Sequence, residues 1–397
     1  MLALDENRDF GSVGIGDGEP LPAQLTDMRD LVKRDRSHPS VMAWSFCNEG
    51  ECHADGASAF RKTSYEYDPT RMVTQNYFYD NDTVIGELDI QGFSHKSGST
   101  FDEFHSKHPD KPMMATECCS CMSQRGVDQD ACPAPKDGGC DGGEAAGLRK
   151  GDFYNNNIGQ CTATQVMASD SRDFVTGTFV WSGFDYYGEA RGFPQNTKCR
   201  GTVSDLAGFY KETAYWLRSW WLSNISDTDA GKPKLAWPGL PPTDITVFIL
   251  EAWEPAPAVY HRTDRRINVY TNAKGVKLEL NGKPLAPVQP VEFFGQATFN
   301  VTFSPGNLTA IAVDADGKAL GSHSVLSVSG DAASMKLSLD APSEHTGTGT
   351  HLVADGEDVA MVRATLFDSA GNFAYNSSAN VTFSVVSGPG RIWTTHK

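Results

Sequence analysis

The sequence predicts a multi-domain chain, α/β in its first part and all-β in its second. Two textures say so. Over residues 1–222 short apolar runs alternate with amphipathic stretches, whereas from 243 onward short alternating strands follow one another with turn residues between them. Length agrees, since 397 residues suggest two or three filled cores rather than one.

In the first part the apolar runs are MLAL, VMAWSF (41–46), RMVTQ (71–75), VIGELDIQGF (84–93), PMMATE (112–117) and FVTGTFVW (174–181). Between and after them lie helix-like stretches at 25–35, 59–67, 101–108, 152–171 and 208–221, and a Gly/Cys/Pro-rich insertion at 118–150. Strands that alternate with helices form a parallel sheet, and buried parallel strands are nearly continuous in apolar residues, as VMAWSF and FVTGTFVW are. A linker rich in Asp, Lys and Pro covers 224–242.

The second part reads as a β-sandwich. Its strands are ITVFILEAW, INVYTNA, VKLELNGKPL with a hairpin turn at Asn281-Gly282, ATFNVTF and LTAIAVDADGKAL. A Ser/Gly/Asp stretch at 328–334 sets off MKLSLDA, VAMVRATLFDSAGN and NVTFSVVSGPG, which predict a second sandwich that stops early. The domains are therefore 1–223, 243–328 and 333–397.

A net charge of −16 argues against nucleic acid or an anionic membrane surface as partner, because both require clustered Lys and Arg. No apolar run reaches membrane-spanning length, and the start MLALDENRDF lacks signal-peptide architecture. Yet there are nine Cys, five of them between Cys118 and Cys140, and six Asn-x-Ser/Thr sequons, at Asn81, Asn224, Asn300, Asn307, Asn376 and Asn380. That combination favours an oxidising, extracellular or secretory compartment; the alternative is a cytoplasmic protein with free thiols.

Two carboxylates close predicted parallel strands, Glu49 after VMAWSFCN and Glu117 after PMMAT. In a closed βα barrel the carboxyl ends of the strands open onto one face, so side chains 68 positions apart can meet there. Hydrolysis of a glycosidic bond needs two carboxyl groups flanking the sugar, and a spacing of about 5 Å implies retention. A lone Glu at a strand end would more simply be a surface or ion-paired carboxylate.

The surrounding residues change those odds. HPSVMAWSFCNEGE (38–51) resembles the acid/base segment of glycoside hydrolase family 2, KPMMATECCSCMSQRG (111–126) its nucleophile segment, and TGTFVWSGFDYYGE (176–189) with 201–221 the eighth strand and helix of its β-galactosidases. The resemblance implies an incomplete TIM (β/α)8 barrel followed by immunoglobulin-like β-sandwich domains. It implies Glu49 as acid/base, Glu117 as nucleophile, Asn48 as hydrogen-bond partner of the sugar 2-hydroxyl, Trp181 as a wall of the sugar site and Asp185 in the adjoining substrate loop. For Trp181 the alternative is plain core packing. Glu6, at the end of what the resemblance makes the third barrel strand, faces the pocket or pairs with Arg8.

One departure stands out. Where the family often carries Gly-Tyr-Asn-Tyr before the nucleophile strand, this chain has Gly92, Phe93, Ser94 and His95. The role of the last Tyr is either vacant or filled by His95, which can donate a hydrogen bond to Glu117; the alternative is a solvated loop histidine. Cys119, Cys121, Cys132 and Cys140 lack the repeated Cys-x2–4-Cys knuckles of a zinc site, so disulfides across the insertion are the expectation, and no cofactor is expected. Glu51, Cys52 and His53 either line the mouth of the site or form a polar loop.

By the same resemblance the first two strand-helix units and the leading sandwiches are expected to be missing, so the isolated chain should turn over aryl galactosides poorly. The expected activity is a retaining exo-β-galactosidase acting on a carbohydrate substrate. The alternatives are a β-glucuronidase or β-mannosidase with the same mechanism, or a non-catalytic carbohydrate-binding protein.

Overall fold

A computed structural model describes residues 2–7, 21–48, 54–76, 81–96, 98–119, 162–187, 197–198, 201–223, 245–255, 264–291, 296–328, 330–340, 361–375, 377 and 379–392. These fall into two compact units. The first draws its described residues from 2–119, 162–183 and 201–202, and the second from 184–198 and 203–392.

The first unit alternates strand and helix: β1 (Ala3–Glu6), α1 (Leu21–Asp35), β2 (Val41–Ser45), α2 (Ala54–Tyr67), β3 (Met72–Thr74), α3 (Asp82–Glu87), β4 (Gln91–Ser94), α4 (Gly98–Lys107), β5 (Met113–Cys119), α5 (Thr162–Asp170) and β6 (Val175–Trp181). All strand pairs are parallel and follow chain order, β1-β2-β3 in one sheet and β4-β5-β6 in the other, the arrangement of a (β/α) barrel segment. The two sheets meet where Asp89 and Ile90 donate their backbone N–H groups to the Val73 carbonyl, at 3.0 and 3.4 Å.

Periodicity explains the elements. Met28 and Val32, four apart in α1, bury one helix face against Val41, Trp44, Phe60 and Val73, while Lys33 and Arg34 in its last turn complement the helix dipole. In α4, Phe101 and Phe104 both meet Phe93 of β4 edge-on, with centroids 5.3 Å away in each case. The run at 84–93 divides: its first half forms the short helix α3, capped by Asn81, whose side chain accepts from Thr83 and Val84 N–H, and only its second half becomes β4.

In the second unit β7 (Tyr186–Tyr187) pairs with β8 (Thr197–Lys198), and α6 (Glu212–Ser223) follows. Then come β9 (Val247–Ile249), β10 (Asp264–Thr271), β11 (Gly275–Leu280), β12 (Lys283–Pro290), β13 (Gln296–Thr302), β14 (Asn307–Val313) and β15 (Ala319–Leu326). They form antiparallel sheets β13-β10-β9 and β12-β11-β14-β15 around one shared core of Ile249, Trp253, Ile267, Val276, Phe299 and Leu308 among others. Asn281 and Gly282, at φ 52° and 75°, make the two-residue turn between β11 and β12 that the sequence predicts.

Two assignments differ from the sequence reading. Helix α6, expected with the first domain (1–223), groups with the second unit: Tyr215 stacks on Phe248 at 3.8 Å, and Arg218 donates to the Thr246 hydroxyl. An apolar helix such as ETAYWLRSWWLS satisfies sequence rules against any apolar surface, so periodicity does not select its partner. Among the described residues of 333–397, where the sequence predicts a second sandwich, β16 (Ser334–Asp340) pairs with β17 (Met361–Phe367), and the run at 380–390 forms no strand. Met335, Leu337 and Leu339 of β16 stay about half exposed.

Candidate active site

Parallel strands direct their carboxyl ends to one side, and residues just past β3 and β4 hydrogen-bond the Glu117 carboxylate of β5. Asn76, two residues past β3, donates through Nδ2 to Glu117 Oε2 at 2.8 Å and to Asn48 Oδ1 at 2.9 Å. Asn48 follows β2. His95, just past β4, sets Nε2 3.0 Å from Glu117 Oε1, and its backbone N–H donates to the Glu117 carbonyl at 2.8 Å. His95 holds φ 49°, a left-handed conformation costly for a residue with a Cβ, and its two bonds to Glu117 help hold it there.

A bulge in β5 shapes the nucleophile end. Phe93 pairs with Ala115 but Ser94 pairs with Glu117, which leaves Thr116 as the extra residue. In a regular strand Thr116 and Glu117 would face opposite sides of the sheet. Here both reach Asn76: the Thr116 hydroxyl donates to Asn76 Oδ1 at 2.6 Å while Glu117 accepts from its Nδ2. Side-chain exposure of 12% at Glu117 and 21% at His95 leaves the pair shielded but reachable.

The other expected residues are placed as follows. Glu6 accepts from the buried Ser45 hydroxyl at 2.8 Å through Oε2, tying β1 to β2. Trp181 ends β6, pairs in register with Cys119 and is 40% exposed, so it is not a core side chain; its peptide bond to Ser182 is cis. Asp185 belongs to the second unit, where its carboxylate accepts from the fully buried Lys211 ammonium at 2.9 Å. Glu49 lies outside the described residues, as do Arg8, Glu51, Cys52, His53 and most of the insertion with Cys121, Cys132 and Cys140. Cys47 and Cys118, next to Asn48 and Glu117 respectively, are each disulfide-bonded.

Sequence reasoning missed Asn76 and Thr116. The run RMVTQ was read as ending one residue short of Asn76, although a polar residue just past a buried parallel strand is the same signal that singled out Asn48. Thr116 gave no signal, because only the bulge turns it to the site face.

Residues 7–131, which hold Asn48, Asn76, His95, Thr116 and Glu117, match the sequence family described as the glycosyl hydrolases family 2 TIM barrel domain. That stretch of the chain is thus similar to the barrel domain of glycoside hydrolase family 2. Residues 263–321, spanning β10 to β14, match a second family, the domain of unknown function DUF4982. Beta-galactosidase BoGH2A of Bacteroides ovatus is 24% identical over 414 residues, 90% of this chain and 44% of that protein. A crystal structure of a family 2 member from Bacteroides cellulosilyticus superposes with TM-score 0.66 at 22% identity, over 94% of this chain and 45% of that one. A β-glucuronidase from glycoside hydrolase family 2 also gives TM-score 0.66, at 19% identity, over 91% of this chain and 34% of that one. The chain thus spans less than half the length of these relatives.

Proposed function

We propose that this chain supplies the catalytic carboxylates of a retaining exo-β-galactosidase. The observation that carries the reading is the pair of hydrogen bonds that Asn76 donates to Asn48 and Glu117, since it joins the two strand ends at which the family resemblance puts acid/base and nucleophile. In the first step an Oε lone pair of Glu117 forms a bond to the anomeric carbon while the glycosidic bond breaks and Glu49 gives its proton to the leaving oxygen. In the second step Glu49 takes a proton from water, the water oxygen attacks the anomeric carbon, and Glu117 leaves as carboxylate. Asn48 contacts the 2-hydroxyl as positive charge grows at the ring, and the exposed Trp181 offers an apolar face to the sugar's C–H side.

Galactose is favoured by the GFDYYGE segment and by the β-galactosidase named among the relatives; glucuronic acid is the second reading, favoured by the β-glucuronidase with the same fold. We read the shared-core sheets β9–β15 as an immunoglobulin-like domain. We assign the protein to an oxidising, extracytoplasmic compartment, a reading supported by the disulfide bonds at Cys47 and Cys118. The deciding experiment is a panel of nitrophenyl β-galactoside, β-glucuronide and β-mannoside on the gene product that contains this chain. A dominant galactoside rate is expected; a dominant glucuronide rate selects the second reading, and no turnover of any glycoside overturns the enzyme assignment.

A further inference from the structure

Asn76 is 4% exposed, and both side-chain donors are committed within the protein. Both N–H groups are used, one on Glu117 Oε2 and one on Asn48 Oδ1, and the oxygen accepts from the Thr116 hydroxyl. Its backbone N–H also donates to the Cys47 carbonyl at 2.9 Å, which pins the residue to the strand end that carries Asn48. We propose that Asn76 is a positioning residue that sets the orientation of both the Glu117 carboxylate and the Asn48 amide, and that the Thr116 hydroxyl determines which way Asn76 itself faces. This deepens the glycosidase reading above and rests on it.

The argument is one of donors and acceptors. Turned over by half a rotation, the Asn76 amide would present its oxygen to two acceptors, Glu117 Oε2 and Asn48 Oδ1, so only one orientation satisfies the cluster. The Thr116 hydroxyl reinforces that choice by donating to the oxygen. With His95 Nε2 on Oε1 and Asn76 Nδ2 on Oε2, each carboxylate oxygen of Glu117 has a fixed neighbour and the carboxylate plane cannot swing freely. Asn48 is set in the same way. Because its Oδ1 accepts from Asn76, its Nδ2 occupies the other branch of the amide, and that Nδ2 makes no hydrogen bond among the described residues. A donor kept available beside the nucleophile suits a sugar hydroxyl oxygen.

The test uses the gene product that contains this chain, with four variants: Asn76→Ala, Asn76→Asp, Thr116→Val and Thr116→Ser. Covalent labelling by a galactose-configured cyclophellitol aziridine, mapped by peptide mass spectrometry, first establishes whether unmodified protein labels at Glu117; no label there defeats the glycosidase reading, independently of Asn76. Given that label, Asn76→Ala is expected to lower kcat/KM on nitrophenyl galactoside roughly 10- to 100-fold, the scale of one lost hydrogen bond to a charged group. On the 2-deoxygalactoside, which has no 2-hydroxyl for Asn48, the loss should be several-fold smaller, a contrast that general loosening of the fold would not produce. Asn76→Asp sets a second carboxylate against Glu117 and should move the acidic limb of the rate profile upward by about one pH unit or more. If Asn76→Ala does not fold, the hydroxyl carries the test: Thr116→Val should lose rate while Thr116→Ser keeps it. Equal penalties on both sugars with an unmoved acidic limb, or a Thr116→Val protein as fast as Thr116→Ser, would overturn the proposal.

Discussion

Gly92 lies in backbone contact with Gln75: a Cβ on Gly92 would sit 2.0 Å from the Gln75 carbonyl oxygen and 2.7 Å from Thr116 Cγ2. The glycine therefore sets how closely β4 can approach the residues that present Asn76 and Thr116. Backbone does not yield as a side-chain tip does, so Gly92→Ala is expected to destabilise the fold by about 3 kcal/mol and to reduce turnover beyond what lost stability explains. Chemical denaturation beside kcat/KM at low temperature checks this; a variant as stable and active as the parent would show that the strands part without cost.

Replacing Glu117 by Gln preserves shape and removes the attacking carboxylate. Turnover should fall by about 10³-fold or more, while galactose binding measured by calorimetry persists. A non-catalytic sugar-binding protein would have no turnover to lose, so parent and variant would then behave alike in both assays.

Lys211 and Asp185 form a buried pair, 0% and 6% exposed at their side chains. Asp185→Ala removes a carboxylate that faces a buried ammonium and should cost about 3–5 kcal/mol. The double change Lys211→Met with Asp185→Leu should recover most of that, since an apolar pair removes both desolvated charges. Urea melts of the three proteins decide it; a single variant no less stable than the parent contradicts the structural role of the pair.

Burial, together with a hydrogen bond to the Asp35 carboxylate and its charge, raises Asp5 from the usual 3.8 to about 6. For an acid raised in the folded state, the stabilising contribution is fully present below pH 3.8 and is lost as pH climbs to about 6. Asp5→Asn stays neutral and escapes that loss. Its Tm advantage over the parent should therefore be larger at pH 7.5 than at pH 4.5, and an advantage independent of pH would show that Asp5 does not titrate in this window.

What could be read without coordinates follows from local rules. Buried parallel strands are apolar throughout, amphipathic helices repeat at their own period, and Asn281-Gly282 requires a tight turn, so the strand-helix order and the hairpin are written into VMAWSF, LTDMRDLVKRD and NGKPL. Glu117, Asn48 and His95 were legible because each stands near or just past a strand's carboxyl end, where the barrel rule gathers side chains from distant positions. The partner of α6 was not legible, because an apolar helix face fits any apolar surface, and neither was the tie between Asp185 and Lys211, 26 residues apart. The link from Thr116 through Asn76 to both Asn48 and Glu117 needed the tertiary structure most. It depends on one extra residue in β5 that turns two consecutive side chains to the same side, and strand pairing, not composition, decides where such a residue falls.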